Sequence, residues 1–287
     1  MDERPVSLKP AITEDNSVAS SDWAQGDSAD LSLPSFLSSA RFENSAAVVF
    51  WFTDCCSLAA GSLQKASRPD HDVRSTNILH LGYNLSLALR RFRESDEAKD
   101  VTFTVKYFPY QLYPEATKEG ESKYDWYKKS RYGDSEEKMK MYIALMSAYG
   151  ASAGINFKFG GTVASTMDAH RVIQHFQEEK GPEVADKIIN SLYSQYFENE
   201  KHPSADETLL KATADAGIPE SEARPFIEDK TDGLLDVKNM VRQQAGNGVD
   251  AVPTIMFEGK RRDITLVGAK EVEEYEKTLK QIVKESK

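Results

Sequence analysis

Cysteine is nearly absent from this chain of 287 residues: only Cys55 and Cys56 occur, and they are adjacent. Two thiols cannot build a disulfide framework and are too few for a cysteine-based structural zinc site, so a reducing compartment is favoured. The pair is also badly placed to bond with itself. Neighbouring Cα atoms lie about 3.8 Å apart, whereas disulfides usually want about 4.4 to 6.8 Å. Blocks of like charge are absent too: 46 acidic and 36 basic residues, net charge −10, are spread along the chain. That balance argues against nucleic acid or an anionic membrane as the main partner. No apolar run is long enough to span a bilayer, and the opening MDERPVSLKPAITEDNS has neither the apolar core of a signal peptide nor the acid-poor composition of a transit peptide. The expectation is a cytoplasmic protein. The histidines show no metal-ligand spacing, and no phosphate loop, Ser-His-Asp pattern or paired-carboxylate spacing stands out, so no metal site is expected.

What is present has a clear order. Residues 1–45 are rich in Ser, Ala, Asp and Glu without apolar period and read as a disordered tail. AAVVFWF, residues 46–52, is a continuous β-branched and aromatic run that predicts a buried, central, parallel strand. Residues 57–76 read as a loop. Ile78, Leu81, Leu85, Leu89 and Phe92 follow at helical spacing, and Val101, Phe103, Val105 and Tyr107 alternate as in a strand. From about Tyr124 to Asp232 no strand is expected, only helices near 135–152, 168–179, 182–197, 205–216 and 219–229, with Ser204 and Glu207 spaced as a capping box. A helix over 234–244, a hairpin of TIMF and DITLV, and a helix over 270–284 close the chain.

Strand, helix, strand, a helical block, then helix, hairpin and helix predict an α/β protein with a helical insertion between its second and third strands. Three stretches narrow this further. "GVDAVPTIMFEGK", 248–260, resembles the segment of DsbA-like thioredoxin-fold proteins in which a cis proline begins the third strand. "GINFKFGG" with "ASTMDAHR", 154–161 and 164–171, and "YFENEKHPSADETLLKATADAGI", 196–218, resemble the FrnE branch of that family, a relative of kappa-class glutathione transferases and 2-hydroxychromene-2-carboxylate isomerases. The resemblance covers roughly 46–285. It implies a thioredoxin-like domain over 46–107 and 233–287 with a helical insertion domain over 108–232. It further implies thiol–disulfide oxidoreductase activity on a thiol or disulfide substrate, no bound cofactor, and glutathione as a co-substrate. Val252 and Pro253 would hold substrate through the backbone, and His170, Ser165 and Thr166 would line a cleft between the two parts. The bland alternative for His170 is a packed helix interface; His175 is expected on the solvent side.

The cysteines depart from that pattern. In the family the first strand runs into Cys-Pro-Trp-Cys-Tyr at a helix N-terminus, where dipole and free N–H groups stabilise a thiolate and the second cysteine resolves the mixed disulfide. Here Thr53 and Asp54 match the approach and Tyr83–Phe92 the following helix, but "CCSLAAGSLQKASRPDHDVRSTNILHLG" between them matches nothing, and the resolving position after Cys56 is Ala59. Three readings stand: a one-thiol enzyme working with glutathione, as a transferase or isomerase does; a thioredoxin-fold binding protein without thiol chemistry; and a mis-joined segment replacing the true motif. If the chain as written is active, Cys56 carries the activity, because Ser57, Ala59 and Ala60 can start a helical turn just after it, while Cys55 sits nearer the strand. Limited proteolysis is expected to cut first within 1–45 and 57–76, and protection of both segments in amide exchange would overturn that expectation.

Overall fold

The computed structural model describes residues 45–52, 77–99, 101–152 and 154–286. Residues 1–44 of the expected tail and the 57–76 loop lie outside the described residues, while Ser45 already belongs to the first strand. A four-stranded sheet in the order β2-β1-β5-β6 is built from β1 (Ser45–Phe52), β2 (Thr102–Pro109), β5 (Thr254–Glu258) and β6 (Asp263–Val267). β1 is central: it runs parallel to β2, with Val48 opposite Val105, and antiparallel to β5, with Phe50 opposite Ile255. The second and third strands, expected near 101–107 and 253–257, are β2 and β5, and both flank β1 in one sheet. β5 and β6 form the expected hairpin, with Phe257 opposite Ile264.

The strand and helix periods dictate the core. In β2 the alternation places Phe103 and Tyr107 inside and leaves Thr104 and Lys106 exposed. α1 (Asn77–Arg93) and α9 (Val272–Ser286) pack against each other, burying Leu85, Leu89 and Phe92 from one and Tyr275, Leu279, Ile282 and Val283 from the other. Each such side chain contributes roughly 1.5 to 3 kcal/mol. Phe92 meets Phe103 edge to face at 5.4 Å, which fixes α1 on β2.

Between β2 and β5 lie α2 (Lys123–Tyr132), α3 (Glu136–Ser152), α4 (Met167–Lys180), α5 (Pro182–Tyr193), α6 (Asp206–Asp215), α7 (Glu220–Glu228) and α8 (Leu234–Gly246). Four details differ from expectation. A two-residue antiparallel ladder joins β3 (Glu121–Ser122) to β4 (Thr162–Val163), too short to show any period. α2 is unexpected because its KYDWYKKSRY has no clean apolar stripe; its signals are local, Ser122 accepting from the Asp125 amide at one end and left-handed Gly133 at the other. The helix expected over 182–197 changes to a π turn over Ser194–Glu198. Ser204 does not cap α6: its amide donates to His202 Nδ1, and the helix starts two residues later with Asp206 and Glu207 in its first turn.

β2 is an edge strand, and its outer edge is closed by side chains. Gln177 on α4 accepts from the Tyr107 amide at 2.8 Å and donates to the Tyr107 carbonyl at 2.9 Å, while Gln174 donates to the same carbonyl at 3.0 Å. One primary amide thus supplies the donor and acceptor that a neighbouring strand would supply. The Tyr107 hydroxyl donates to Asp186 on α5. Burial first, and then the Asp186 carboxylate, push the Tyr107 phenol well above its ordinary pKa, so it stays protonated and donating. Gln177→Leu, which keeps the volume but strips both bonds, is expected to destabilise the protein by about 1 to 3 kcal/mol in urea unfolding. An unchanged midpoint would show that the edge does not need the amide.

Candidate functional site

Parallel pairing sets Phe52 at the end of β1 opposite Pro109, and antiparallel pairing sets Trp51 opposite Thr254. The stretch just before Thr254 therefore lies beside the end of the central strand. It consists of Ala251, half-buried Val252 and buried Pro253, and the Val252–Pro253 peptide bond is cis. Two bonds hold this turn. The Thr254 hydroxyl donates to the Ala251 carbonyl at 2.6 Å, and the Gly268 amide, just past β6, donates to the Pro253 carbonyl at 2.8 Å. Val252, between the two clamped residues, has no backbone hydrogen-bond partner among the described residues. An N–H and C=O without backbone partners can pair with an added extended segment.

The second group of predicted residues gathers at the start of α4. The Ser165 amide donates to Thr117 at 2.8 Å, tying the helix start to the loop after β2. Thr166 precedes the helix and is 2% exposed, and its hydroxyl makes no capping bond. His170 lies one turn on, also 2% exposed, with its amide donating to the Thr166 carbonyl at 3.0 Å. Next to it Arg171 is fully buried and donates to the carbonyls of Phe226, Ile227 and Asp232 at 2.9, 3.2 and 2.9 Å, with Asp168 at 3.7 Å and the Phe226 ring 4.4 Å away. The guanidinium thus satisfies the last carbonyls of α7, which no intrahelical N–H can reach.

A DSBA-like thioredoxin domain matches residues 86–280, more than half of the chain. The chain belongs to that family. Its fold is thioredoxin-like, and the family match begins after the segment that carries the cysteines. A DsbA-like family member acts on thiol or disulfide substrates. Among solved structures, a probable DsbA oxidoreductase from Streptomyces coelicolor shares 20% identity at TM-score 0.62, covering 84% of this chain and 91% of its own. The cytosolic disulfide reductase DsbM of Pseudomonas aeruginosa, solved with GSH, shares 11% at TM-score 0.50, covering 83% and 99%. At these identities the likeness is one of fold. No curated protein sequence matches the chain.

Within this DSBA-like frame the predicted residues fall into three sets. Val252 and Pro253 lie at the sheet end, and Ser165, Thr166 and His170 lie together at the α4 start, held by different elements. Cys55 and Cys56 lie outside the described residues. His175 is not on the solvent side: its ring stacks on Phe226 at 3.7 Å, and Nε2 lies 3.4 Å from Glu179. Helical spacing alone puts His175 off the His170 face, but α7 crosses there and its Phe226 covers the ring. Phe108, Tyr110 and Tyr113 are half-buried, and Tyr113 packs edge to face on Trp126 at 4.9 Å. Sequence reasoning missed Arg171 and Thr254. The only signal for Arg171 was a cation on an otherwise buried helix face, and for Thr254 a hydroxyl at a buried strand start. Among the described residues no acidic, histidine or cysteine cluster could hold a metal, and no helix is long and apolar enough to cross a membrane.

Arg171→Met should lower stability by about 1 to 3 kcal/mol, because the buried Phe226 carbonyl loses its guanidinium donor, while the Ile227 carbonyl keeps Lys230 Nζ at 2.8 Å and the exposed Asp232 carbonyl can turn to water. A loss below about 1 kcal/mol in urea unfolding would mean that water replaces the guanidinium.

Proposed function

We propose that this protein is a thiol–disulfide oxidoreductase that holds an extended thiol or disulfide substrate against the main chain of Val252 and exchanges disulfides through a single cysteine, Cys56. The observation that carries this reading is that Val252, beside the end of β1, has no backbone hydrogen-bond partner among the described residues. The chain leaves β1 at Phe52 and reaches Cys55 and Cys56 three and four residues later. A tether that short extends no further than about 10 to 14 Å from Phe52. Residues 165, 166 and 170 form the facing wall in this reading.

The exchange balances without any bound cofactor. The Cys56 thiolate attacks one sulfur of the substrate disulfide; the Cys56–substrate S–S bond forms as the substrate bond breaks, and the other half leaves as a thiolate. Ala59 stands where a resolving thiol would be, so the mixed disulfide persists until an external thiol arrives. A glutathione thiolate then attacks the substrate sulfur, releasing Cys56 as thiolate and the substrate as its glutathione disulfide. Glutathione is thus co-substrate rather than cofactor. A kappa-type transferase or isomerase would use the same thiol site, whereas a binding protein would use only the Val252 edge.

Mass spectrometry of protein treated with oxidised glutathione discriminates these readings. Wild type and Cys55→Ser should carry one glutathione at Cys56, and Cys56→Ser should lose at least about tenfold of the adduct. Equal labelling of the two single variants, or full insulin reduction by Cys56→Ser, would sink the assignment. No adduct and no turnover in wild type would leave a binding protein.

A further inference from the structure

The turn that presents Val252 is held by one hydroxyl that neither the family match nor the sequence reading assigns. Thr254 is the first residue of β5, 5% exposed, and its backbone is anchored in the ladder between Trp51 and Val267. Its Oγ1 donates to the Ala251 carbonyl at 2.6 Å, a full-strength O–H···O bond that bridges Val252 and Pro253. The Thr254 side is buried, whereas Ala251 is half-buried, so the bond itself is part-buried. The Gly268 amide holds Pro253 from the other side. Both neighbours of Val252 are therefore pinned to the sheet, while Val252 between them has no backbone partner among the described residues.

We propose that Thr254 is a positioning residue for substrate: its hydroxyl holds Ala251 so that the main chain of Val252 is preset to receive an extended thiol peptide. The inference rests on the reading that Val252 is the substrate edge. Its physical basis is preorganisation. A segment already held in its bound conformation does not lose conformational freedom when a partner strand arrives, so binding keeps more of the gross hydrogen-bond energy. Without the hydroxyl, the Gly268 clamp still holds Pro253, but the Ala251 carbonyl is released and the peptide plane between Ala251 and Val252 is free to turn. Valine is the informative replacement, because it preserves the branched shape that fills the buried strand start and removes only the donor.

Reduced glutathione titrated into the reduced, isotope-labelled full chain gives the test, with the Val252 amide resonance as readout, since no disulfide exchange can occur under those conditions. Wild type should show a saturable shift of Val252. Thr254→Val should raise the dissociation constant by about 2- to 10-fold, as expected for one lost hydrogen bond, while Thr254→Ser should stay within about twofold. Thr254→Ala repeats the loss without the added methyl if valine does not fold. Thr213→Val is the matched control, since it removes a buried hydroxyl-to-carbonyl bond to Leu209 inside α6, and it should keep wild-type affinity. A saturable shift in wild type with unchanged affinity in both Thr254→Val and Thr254→Ala overturns the positioning role alone. An equal loss in Thr213→Val overturns it as well, since general loosening then explains the effect. No Val252 shift in wild type overturns the substrate-edge reading and the inference with it.

Discussion

The pairing of the Gln177 side-chain amide with the backbone of Tyr107 is the constraint on which the rest of the architecture depends. A sheet of four strands has two edges, and an open N–H and C=O on an edge either bind water or invite another strand. Here α4 supplies the missing partner, so the helix lies along β2 in one register rather than sliding over an apolar surface. Hydrophobic burial alone is non-directional and would tolerate such sliding. The directional bonds select one position, and Tyr107 extends the same lock to α5 through Asp186.

From that lock the site geometry follows. Ser165 and Thr166 lead into α4, His170 lies in its first turn, and the next residue, Arg171, seizes C-terminal carbonyls of α7. The helix is thus fixed at one end to the sheet edge and at the other to a second helix. On the sheet side, β5 is paired on both edges, and the hydroxyl of its first residue holds the turn before it. Between these clamped neighbours Val252 has no backbone hydrogen-bond partner among the described residues.

Much of this was legible in one dimension where the signal is local. The runs AAVVFWF and TIMF, the alternation of Phe103 and Tyr107, and the stripe Val272, Tyr275, Leu279 and Val283 mark their strands and helix because apolar period is a property of the segment itself. The helix over Lys123–Tyr132 was not legible, because its stability comes from caps and from aromatic contacts such as Trp126 with Tyr113 and Tyr127, which join residues by tertiary packing. Ser204 shows the opposite error. A capping-box spacing is present, but His202 takes the Ser204 amide and the helix starts elsewhere.

By itself the sequence determined the order of the four sheet strands and of the helices with a clear apolar period, the family, the proline before the hairpin, and the mismatch between the two adjacent cysteines and a dithiol site, since each is written in residue type and spacing along the chain. Tertiary structure alone decided that Gln174 and Gln177 close the sheet edge, that Arg171 caps a helix some 55 residues away, that His175 lies under Phe226, and that Thr254 holds the turn around Val252. The physical reason is that a polar side chain carries the same donors and acceptors wherever it stands. Which buried group it satisfies depends on what the fold brings within about 3 Å of it, and residue spacing does not encode that distance.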